Sequence, residues 1–170
     1  MNKILYVPSP FLRQKAKKID KVGEEEIKIA KNMNDIMLNA PGVGLAANQI
    51  GILKQIVTIF FVDQVTNKEI KYNLFNPEIT SYSKETIMME EGCLSLPEQF
   101  AEVERPKKIV LNYLNENNKL IIKEVDGIES RILQHEIDHL SGKLFVDYLS
   151  TLKRNILIKK VKKFIRNKNK

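Results

Sequence analysis

Residues 126–142 read DGIESRILQHEIDHLSG, a pattern that predicts a buried α-helix. Asp126 with Glu129 three positions later has the arrangement of a capping box, and Gly142 is the expected C-terminal stop. Two stripes run along the helix, one of Ile128, Ile132, His135 and His139 and one of Leu133, Ile137 and Leu140. A helix with apolar residues on two sides is largely enclosed by other elements. We therefore predict that this helix lies at the centre of the fold.

The two histidines of the chain, His135 and His139, stand four residues apart in this helix. That spacing places both imidazoles on one face, about one helical turn apart, where they can bind one metal ion. The alternative is a helix with two hydrogen-bonded core histidines and a surface glutamate, Glu136. A third ligand would decide between the two interpretations.

A catalytic metal site needs a third protein ligand and an open position for water. In zinc proteases with this motif the third ligand is usually a downstream His or Glu. Here Asp147 is the only acidic residue after His139, and Phe145 occupies the histidine position of the extended metzincin signature. The remaining candidate is Cys93, the single cysteine, although a lone cysteine is by default a small buried apolar residue. Beside an incomplete two-histidine site, we interpret Cys93 as the third ligand.

One thiolate and two imidazoles suit Fe²⁺, Zn²⁺, Co²⁺ or Ni²⁺, and this ligand set does not choose between them. Of these divalent ions we expect Fe²⁺ in the cell. Such an ion lowers the pKa of a coordinated water toward about 7. Glu136 is adjacent to a ligand, so we expect it to move the proton as general acid and base. Asp138 either orients groups around the metal site or is a solvated helix carboxylate.

The rest of the chain predicts further helices and a β-rich middle. We expect a short helical segment over residues 11–17 after Ser9 and Pro10, and a helix over residues 24–40. Strands are expected at residues 55–62, 72–75, 108–113 and 120–125, the last two joined by a turn at residues 115–118. An amphipathic helix follows from a Ser150 cap to about residue 167. The predicted fold class is α+β, with mainly antiparallel β-strands wrapped around a central metal-binding helix and a C-terminal amphipathic helix.

The composition indicates one enzyme-sized domain spanning residues 1–170. The chain is 43% apolar and 29% charged, which is ordinary for a globular protein. The N-terminus has no apolar signal region, and no run approaches the roughly 18 apolar residues of a membrane span. We therefore expect a cytoplasmic protein without a membrane partner.

The positive charge of the chain is concentrated at its C-terminal end. Residues 151–170 hold nine Lys and Arg residues and no acidic ones, whereas residues 1–150 hold 19 basic and 21 acidic residues. The net charge of +7 therefore belongs to the last helix. This basic helix either contacts a polyanion or is a solvated charged face.

A glycine-rich loop, GVGLAANQ at residues 42–49, lies between a predicted helix and a predicted strand. It has no Walker lysine, and it reverses the Rossmann order of strand, glycines and helix, so we expect no nucleotide partner. The loop is either a tight packing turn or a surface for an extended peptide. In the second case the Gln49 amide would donate to a developing oxyanion.

Three segments, GVGLAANQ (42–49), EGCLSLP (91–97) and QHEIDH (134–139), resemble the three signature motifs of the peptide deformylase family in order and approximate spacing. The similarity extends from about Pro8 to beyond Leu149. It implies a metal-dependent hydrolase that removes the formyl group from the N-terminal formyl-methionine of newly synthesised polypeptides, releasing formate. It also implies the roles of the site residues: metal ligands at Cys93, His135 and His139, a general acid and base at Glu136, and oxyanion donors at Gln49 and the backbone N–H of Leu94.

The resemblance further implies a pocket for the methionine side chain near Val43, Met89, Ile128, Arg131 and Ile132. The peptide would pair with the backbone around Gly44 and Gly92. Arg131 departs from the apolar pattern, so we expect its aliphatic stem to face the pocket. Phe100 departs as well, because many bacterial relatives carry an arginine there that reaches the peptide beyond the methionine.

The basic C-terminal helix resembles the deformylase tail that docks on the ribosome near the exit tunnel, which would be an electrostatic contact with RNA. Two rival functions remain. A zinc endopeptidase would use the same helix, but the missing downstream ligand argues against it. An RNA- or ribosome-binding protein with a structural metal would normally close the site with a fourth Cys or His, and the chain has none.

Overall fold

The structure is a computed structural model and describes residues 3–168. Within this range the helices are α1 (Glu24–Asn39), α2 (Gly127–Leu140) and α3 (Thr151–Lys168). The strands are β1 (Gly44–Ala46), β2 (Ile56–Val62), β3 (Glu69–Tyr82), β4 (Thr86–Cys93), β5 (Leu96–Pro106), β6 (Lys108–Leu114) and β7 (Leu120–Asp126). Short 3-10 turns occupy Pro10–Arg13, Ala47–Ile50 and Phe145–Tyr148. None of the helices within residues 3–168 has both the length and the apolar character of a membrane span.

A five-stranded antiparallel sheet separates α1 from α2. Its strand order is β1-β2-β3-β6-β7, and β4 pairs with β5 in a separate hairpin. Because side chains alternate along a strand, neighbouring residues point to opposite faces. Leu45 and Ile56 therefore pack in the cluster that holds the α1 side chains, whereas Ala46 and Val57 pack in the cluster that holds those of α2. This arrangement confirms the predicted α+β fold class.

Helix α2 is the buried central element that its two apolar stripes predict. All residues from Ser130 to Glu136 are buried, as are His139 and Leu140. Gly142 has φ +74°, and a Cβ built on it would lie 2.3 Å from the carbonyl oxygen of Arg13, so only glycine fits after the helix. The chain therefore stops the helix where the sequence predicts.

The predicted capping box at the start of α2 is wrong. The Asp126 side chain makes no capping hydrogen bond. Oε1 of Glu129 instead accepts hydrogen bonds from the Tyr72 hydroxyl, at 2.5 Å, and from Lys123. Glu129 thus ties α2 to β3 and β7, a tertiary contact that takes the place of the local one.

Several elements differ in extent from the sequence-based predictions. The segment expected to be helical over residues 11–17 is only the turn Pro10–Arg13, because the N–H groups of Ala16 and Lys17 bond to Leu140 and Leu53. Strand β3 continues beyond Phe75, the last residue that pairs with β2. Pro77 is tolerated there because only β6 remains as a partner, and a bulge absorbs the irregularity.

The β4–β5 hairpin was not predicted as two strands, although it carries Cys93 close to its tip. Its inner face includes buried polar residues, among them Gln99 and Arg105, so apolar residues do not alternate along it. Period-two patterning detects strands whose buried face is apolar. It therefore misses a hairpin whose buried face is partly ionic.

Helix α3 packs on the hairpin side of the molecule. Val161 is fully buried, and Leu157, Ile158 and Ile165 are partly buried against the same cluster. Leu152 and Ile156, in the first half of the helix, are 73% and 46% exposed. The Oγ of Ser150 accepts a hydrogen bond from the N–H of Lys153, so the predicted cap is confirmed.

Candidate metal centre and active-site cleft

A cleft opens where β1, the tip of the β4–β5 hairpin and α2 meet. Its volume is about 490 Å³. The predicted site residues that line it are Val43, Gly44, Gln49, Gly92, Cys93, Leu94, His135 and Glu136. Three segments separated by more than 40 residues each therefore contribute to one cavity. The fold brings together all three motifs that the sequence singled out.

Cys93, His135 and His139 converge beside the cleft. Their ligand atoms all lie within 4.8 Å of one another. Nε2 of His139 is 3.3 Å from Sγ of Cys93 and 3.2 Å from Nε2 of His135. The four-residue spacing on α2 places the imidazoles one turn apart, and the hairpin tip presents the sulfur to both.

The three side chains fit a tetrahedral divalent metal ion. With metal–nitrogen bonds of about 2.0–2.1 Å and a metal–sulfur bond of about 2.3 Å, neighbouring ligand atoms of a tetrahedron are roughly 3.3–3.6 Å apart. The nitrogen–nitrogen distance of 3.2 Å is about 0.1 Å below the tetrahedral value for that pair, and the nitrogen–sulfur distance of 3.3 Å is about 0.3 Å below the value for that pair. Two imidazoles and one sulfur also match the borderline to soft donor set expected for first-row transition metals.

A buried ionic cluster holds His135 in place at its Nδ1 atom. Oε2 of Glu91 is 2.9 Å from Nδ1 of His135, so this imidazole can present Nε2 to a metal. Nε and Nη2 of Arg105 donate to the same carboxylate, and Nη1 of Arg131 donates to its Oε1 at 2.8 Å. Nη1 of Arg105 also donates to Asp138 at 2.7 Å. Asp138 therefore orients a group around the site and is not merely a solvated carboxylate.

The electrostatics of the cluster favour a cation between the three ligand side chains. Burial alone lowers the pKa of His135, but hydrogen bonds to Cys93 and Glu91 outweigh it and raise that pKa well above its usual value. Burial also lowers the pKa of His139 well below its usual value, which keeps this imidazole neutral. Because a histidine must be deprotonated to bind a metal, an ion at this site would replace the proton that the raised pKa favours on His135, whereas the neutral His139 can bind directly.

Glu136 faces the cleft from α2 and lies against Gly44. A Cβ built on Gly44 would be 2.5 Å from Oε1 of Glu136, so a glycine is needed for this approach. Oε2 is buried and has no hydrogen-bond partner among residues 3–168. Burial raises the pKa of Glu136 to about 7. A carboxyl group with this pKa can both accept and donate a proton near neutral pH.

Gln49 is held so that its amide N–H₂ group points toward Cys93, one of the three candidate metal ligands. Its Oε1 accepts a hydrogen bond from the N–H of Ala46 at 2.8 Å, which fixes the amide orientation. Its Nε2 donates to Oγ of Ser95 at 3.1 Å and lies 3.5 Å from Sγ of Cys93. Leu94 occupies the turn between Cys93 and Ser95, so both expected oxyanion donors border the sulfur.

The residues expected around the methionine side chain are divided between different environments. Val43, Ile128 and Ile132 line a second, larger cavity of about 990 Å³, which adjoins the cleft at residues 41–43 and is called the apolar cavity below. Met89 and Arg131 line neither cavity. The Arg131 guanidinium is buried against Glu91 and donates to the backbone carbonyls of Val103 and Ile87, at 2.9 and 2.6 Å.

Sequence reasoning missed Glu91 and Arg105 as residues of the site. Glu91 precedes Cys93 by two positions, so both side chains fall on one side of a strand. The chain has 23 lysines but only five arginines, two of which are the buried Arg105 and Arg131. Because arginine is the cation preferred for buried bidentate pairs, its placement in a lysine-rich chain was a usable signal.

Comparison with known proteins agrees with this geometry. A sequence model of the polypeptide deformylase family matches residues 1–155. The peptide deformylase of Pelagibacter ubique is 44% identical over 165 residues, covering 97% of this chain and 95% of that protein. The peptide deformylase of Bartonella henselae is 44% identical over 171 residues, covering 99% and 96%. The crystal structure of peptide deformylase from Ehrlichia chaffeensis has a TM-score of 0.94 at 35% identity and covers 100% of this chain and 99% of that one. The chain thus belongs to the polypeptide deformylase family.

Proposed function

We propose specific residue roles for the reaction of this family, the hydrolytic removal of the N-formyl group from newly made peptides. The observation that carries the proposal is the convergence of Cys93, His135 and His139 next to the Glu136 carboxylate at an open cleft. A divalent ion bound by the three ligands would act as a Lewis acid and provide a nucleophilic water near neutral pH. Proton transfer and stabilisation of the oxyanion would be carried out by side chains and backbone groups of the chain itself.

Glu136 is the general acid and base of the proposal. It takes a proton from the water that attacks the formyl carbon and delivers it to the methionine nitrogen as the C–N bond breaks. Its raised pKa of about 7 suits both transfers. The products are formate and a protonated peptide amine, because one proton of the water reaches the nitrogen through Glu136 and the acidic proton of formic acid also ends on the amine.

The oxygen of the formyl group gains negative charge during the attack. Nε2 of Gln49 and the backbone N–H of Leu94 are the proposed donors to it. The hydrogen bond from Ala46 keeps the Gln49 amide in this orientation before substrate arrives. Preorganised donors lower the barrier because they need no rearrangement as the charge develops.

The proposed peptide lies between two strand edges. Strand β1 pairs only with β2, and β4 pairs only with β5, among the described residues. An extended peptide can therefore bond to the backbone near Gly44 and Gly92. The methionine side chain would enter between Val43 and the Ile128 and Ile132 side of α2. The other expected pocket residues, Met89 and Arg131, line neither cavity and are given no role in binding the methionine side chain.

Formate release from formyl-Met-Ala-Ser tests these roles. The Glu136→Gln variant should keep its metal and lose about 10² to 10⁴-fold in kcat. Cys93→Ser should lose metal affinity while the helices and strands stay folded, because serine is a poor ligand for these ions. A Glu136→Gln variant with activity within a few-fold of the parent would refute the proton-transfer role.

We propose Fe²⁺ as the ion bound in the cell, because thiolate and imidazole ligands accept it and leave one position open. Iron and a thiolate are both oxidised by air. The iron form should therefore lose activity in air faster than the nickel or cobalt form of the same protein. Metal content after anaerobic purification, together with these lifetimes, tests the assignment. Equal lifetimes of the iron and nickel forms would count against it.

The place of action follows from the substrate. Newly made polypeptides emerge from ribosomes, so we propose that the chain acts in the cytoplasm as one domain over residues 1–170, with residues 151–170 as a ribosome-docking tail. The exposed lysines of α3 support this partner by their charge.

A further inference from the structure

A third cavity adjoins the active-site cleft on the side of α3. It measures about 470 Å³ and is called the side groove here. Its walls are the N-terminal segment, the C-terminal end of α1 and the C-terminal end of α3. Ile4, Tyr6 and Ala40 line both the cleft and the side groove, so the two cavities share one wall.

We propose that the side groove binds the part of the formylated polypeptide that lies beyond its first few residues. The chain would leave the cleft over Tyr6 and run between α1 and the N-terminal segment toward the end of α3. This proposal rests on the proposed function, since it extends the peptide that the cleft would hold. The proposal thus assigns the path that the nascent chain follows between the cleft and the protein surface.

The segment that joins the two cavities is fixed to the active site. The N–H of Leu5 donates to the carbonyl of Gln49 at 2.7 Å, and the N–H of Val7 donates to the carbonyl of Ser95 at 3.0 Å. Val7 is buried in the core, whereas Tyr6 lines the cavities. The alternation of an extended segment therefore presents Tyr6 to the peptide path from a backbone anchored beside the catalytic groups.

Tyr6 is also connected to α3. Its ring meets the ring of Phe164 edge to face, with centroids 6.4 Å apart and an interplanar angle of 90°. Nζ of Lys168 lies 5.8 Å from the centroid of the Tyr6 ring. A peptide that passes over Tyr6 therefore reaches the last turn of the basic helix without leaving the groove.

The lining of the side groove suits polypeptides of many sequences. It combines exposed groups of both charges, Asp35 and Lys168, with the partly buried Ile36 and Ile165. Such a surface offers no single deep pocket that selects one side chain. The apolar cavity, lined by Phe60, Phe61 and Ile128 but also by Asp63 and Glu129, is already assigned to the methionine side chain in the proposed function. We therefore assign the chain to the side groove.

Peptide length provides the first test. KM for formate release should be about ten-fold lower for a formylated nonapeptide than for a formylated tripeptide, with kcat unchanged, because the added contacts bind ground state and transition state equally. Equal KM values would overturn the groove while leaving the proposed function intact. Failure to deformylate even the tripeptide would instead contradict the proposed function.

A blocking substitution provides the second test. Asp35→Trp fills the side groove from an exposed position of α1, and Lys31→Trp places the same ring one turn earlier on α1, outside the groove. Asp35→Trp should remove the KM advantage of the nonapeptide, whereas Lys31→Trp should keep it. Both variants should match the parent on the tripeptide. A full nonapeptide advantage in Asp35→Trp would overturn the proposal.

Photo-crosslinking locates the chain directly. A nonapeptide with a benzophenone side chain at its sixth position should crosslink to the segment around Tyr6 or to residues 165–168, identified by mass spectrometry. Crosslinks to residues 60–65 would show that the chain leaves through the apolar cavity, and they would overturn the proposal.

Discussion

Nδ1 of His135 lies 2.9 Å from Oε2 of Glu91. Arg105 and Arg131 both donate to this carboxylate, so one buried anion orients the imidazole and balances two buried guanidinium groups. Hydrogen bonds from His135 and Arg105 hold the pKa of Glu91 below its usual value, although burial opposes them. The Glu91 carboxylate therefore stays ionised around neutral pH.

Glu91→Gln should weaken metal binding about 10 to 100-fold, the usual effect of removing the partner of a metal-binding histidine. It should also lower the free energy of unfolding by about 3–5 kcal/mol, because two buried cations lose their counter-ion. Chelator competition measures the first effect and urea unfolding the second. Glu90→Gln, at the exposed neighbouring position, is the matched control. Parental metal affinity in folded Glu91→Gln would contradict the role of this carboxylate.

Gly44→Ala should reduce kcat without loss of metal. The added methyl group would meet Oε1, Cδ and Cγ of Glu136 at 2.5–2.9 Å, so the carboxylate must move away from the water it serves. We expect a loss of about 10² to 10⁴-fold, as for direct removal of the general base. Gly23→Ala is the control, since its Cβ would have an ordinary 3.4 Å contact. Parental turnover in Gly44→Ala would mean that Glu136 works from another position.

Local patterns in the sequence predicted the parts of the site that depend on spacing. The interval between His135 and His139 fixes two ligands on one helix face, and the small residues of the 42–49 loop permit close approach to Glu136. The partners of Glu91 could not be predicted in the same way. Arg105 and Arg131 reach it from β5 and α2, and only the tertiary fold determines that these segments meet.

The same distinction explains the errors in the fold. The central helix α2 was predicted because its burial leaves apolar residues on two sides. The β4–β5 hairpin was missed because part of its buried face consists of Gln99 and Arg105. The capping box failed because Glu129 has tertiary partners in Tyr72 and Lys123. Tertiary contacts by polar side chains are the component that periodicity does not encode.

The pH dependence of stability should reveal the link between the N-terminal segment and the turn before α3. Burial alone raises the pKa of Asp147, but hydrogen bonds from Arg13 and from the N–H of Leu144 outweigh it and lower the pKa below its usual value. A carboxylate with a lowered folded-state pKa stabilises the fold above its unfolded pKa, and this contribution disappears as the pH falls through the folded pKa.

Asp147→Asn should therefore lower the free energy of unfolding by about 1–2 kcal/mol at pH 7, the scale of a partly exposed charged hydrogen bond. The difference between parent and variant should stay constant down to about pH 5 and shrink below about pH 4. Urea unfolding of both proteins across this range measures it. A difference that grows at low pH would contradict the assigned sign.

The last prediction concerns the basic face of α3. Lys159, Lys160, Lys162 and Lys163 are exposed, and the helix is held to the body by Val161, Leu157, Ile158 and Ile165. Because these two sets occupy different positions, charge and packing can be changed separately. Reversal of the four lysines to glutamate spares the packing residues, so stability and formate release from a tripeptide should remain near those of the parent.

Ribosome binding should respond differently. Each lysine that binds a phosphate releases a counter-ion from the RNA. Without the four lysines fewer counter-ions are released, so the affinity for the ribosome should fall and should depend less steeply on salt concentration. Reversal of Lys68, Lys71, Lys84 and Lys119 gives the same change in net charge at exposed positions outside α3 and is the matched control. If the four α3 lysines dock on RNA, the α3 variant should lose affinity in co-sedimentation at physiological salt and the control should lose much less. Equal losses would assign the effect to net charge, and undiminished binding by the α3 variant would leave these lysines as a solvated face.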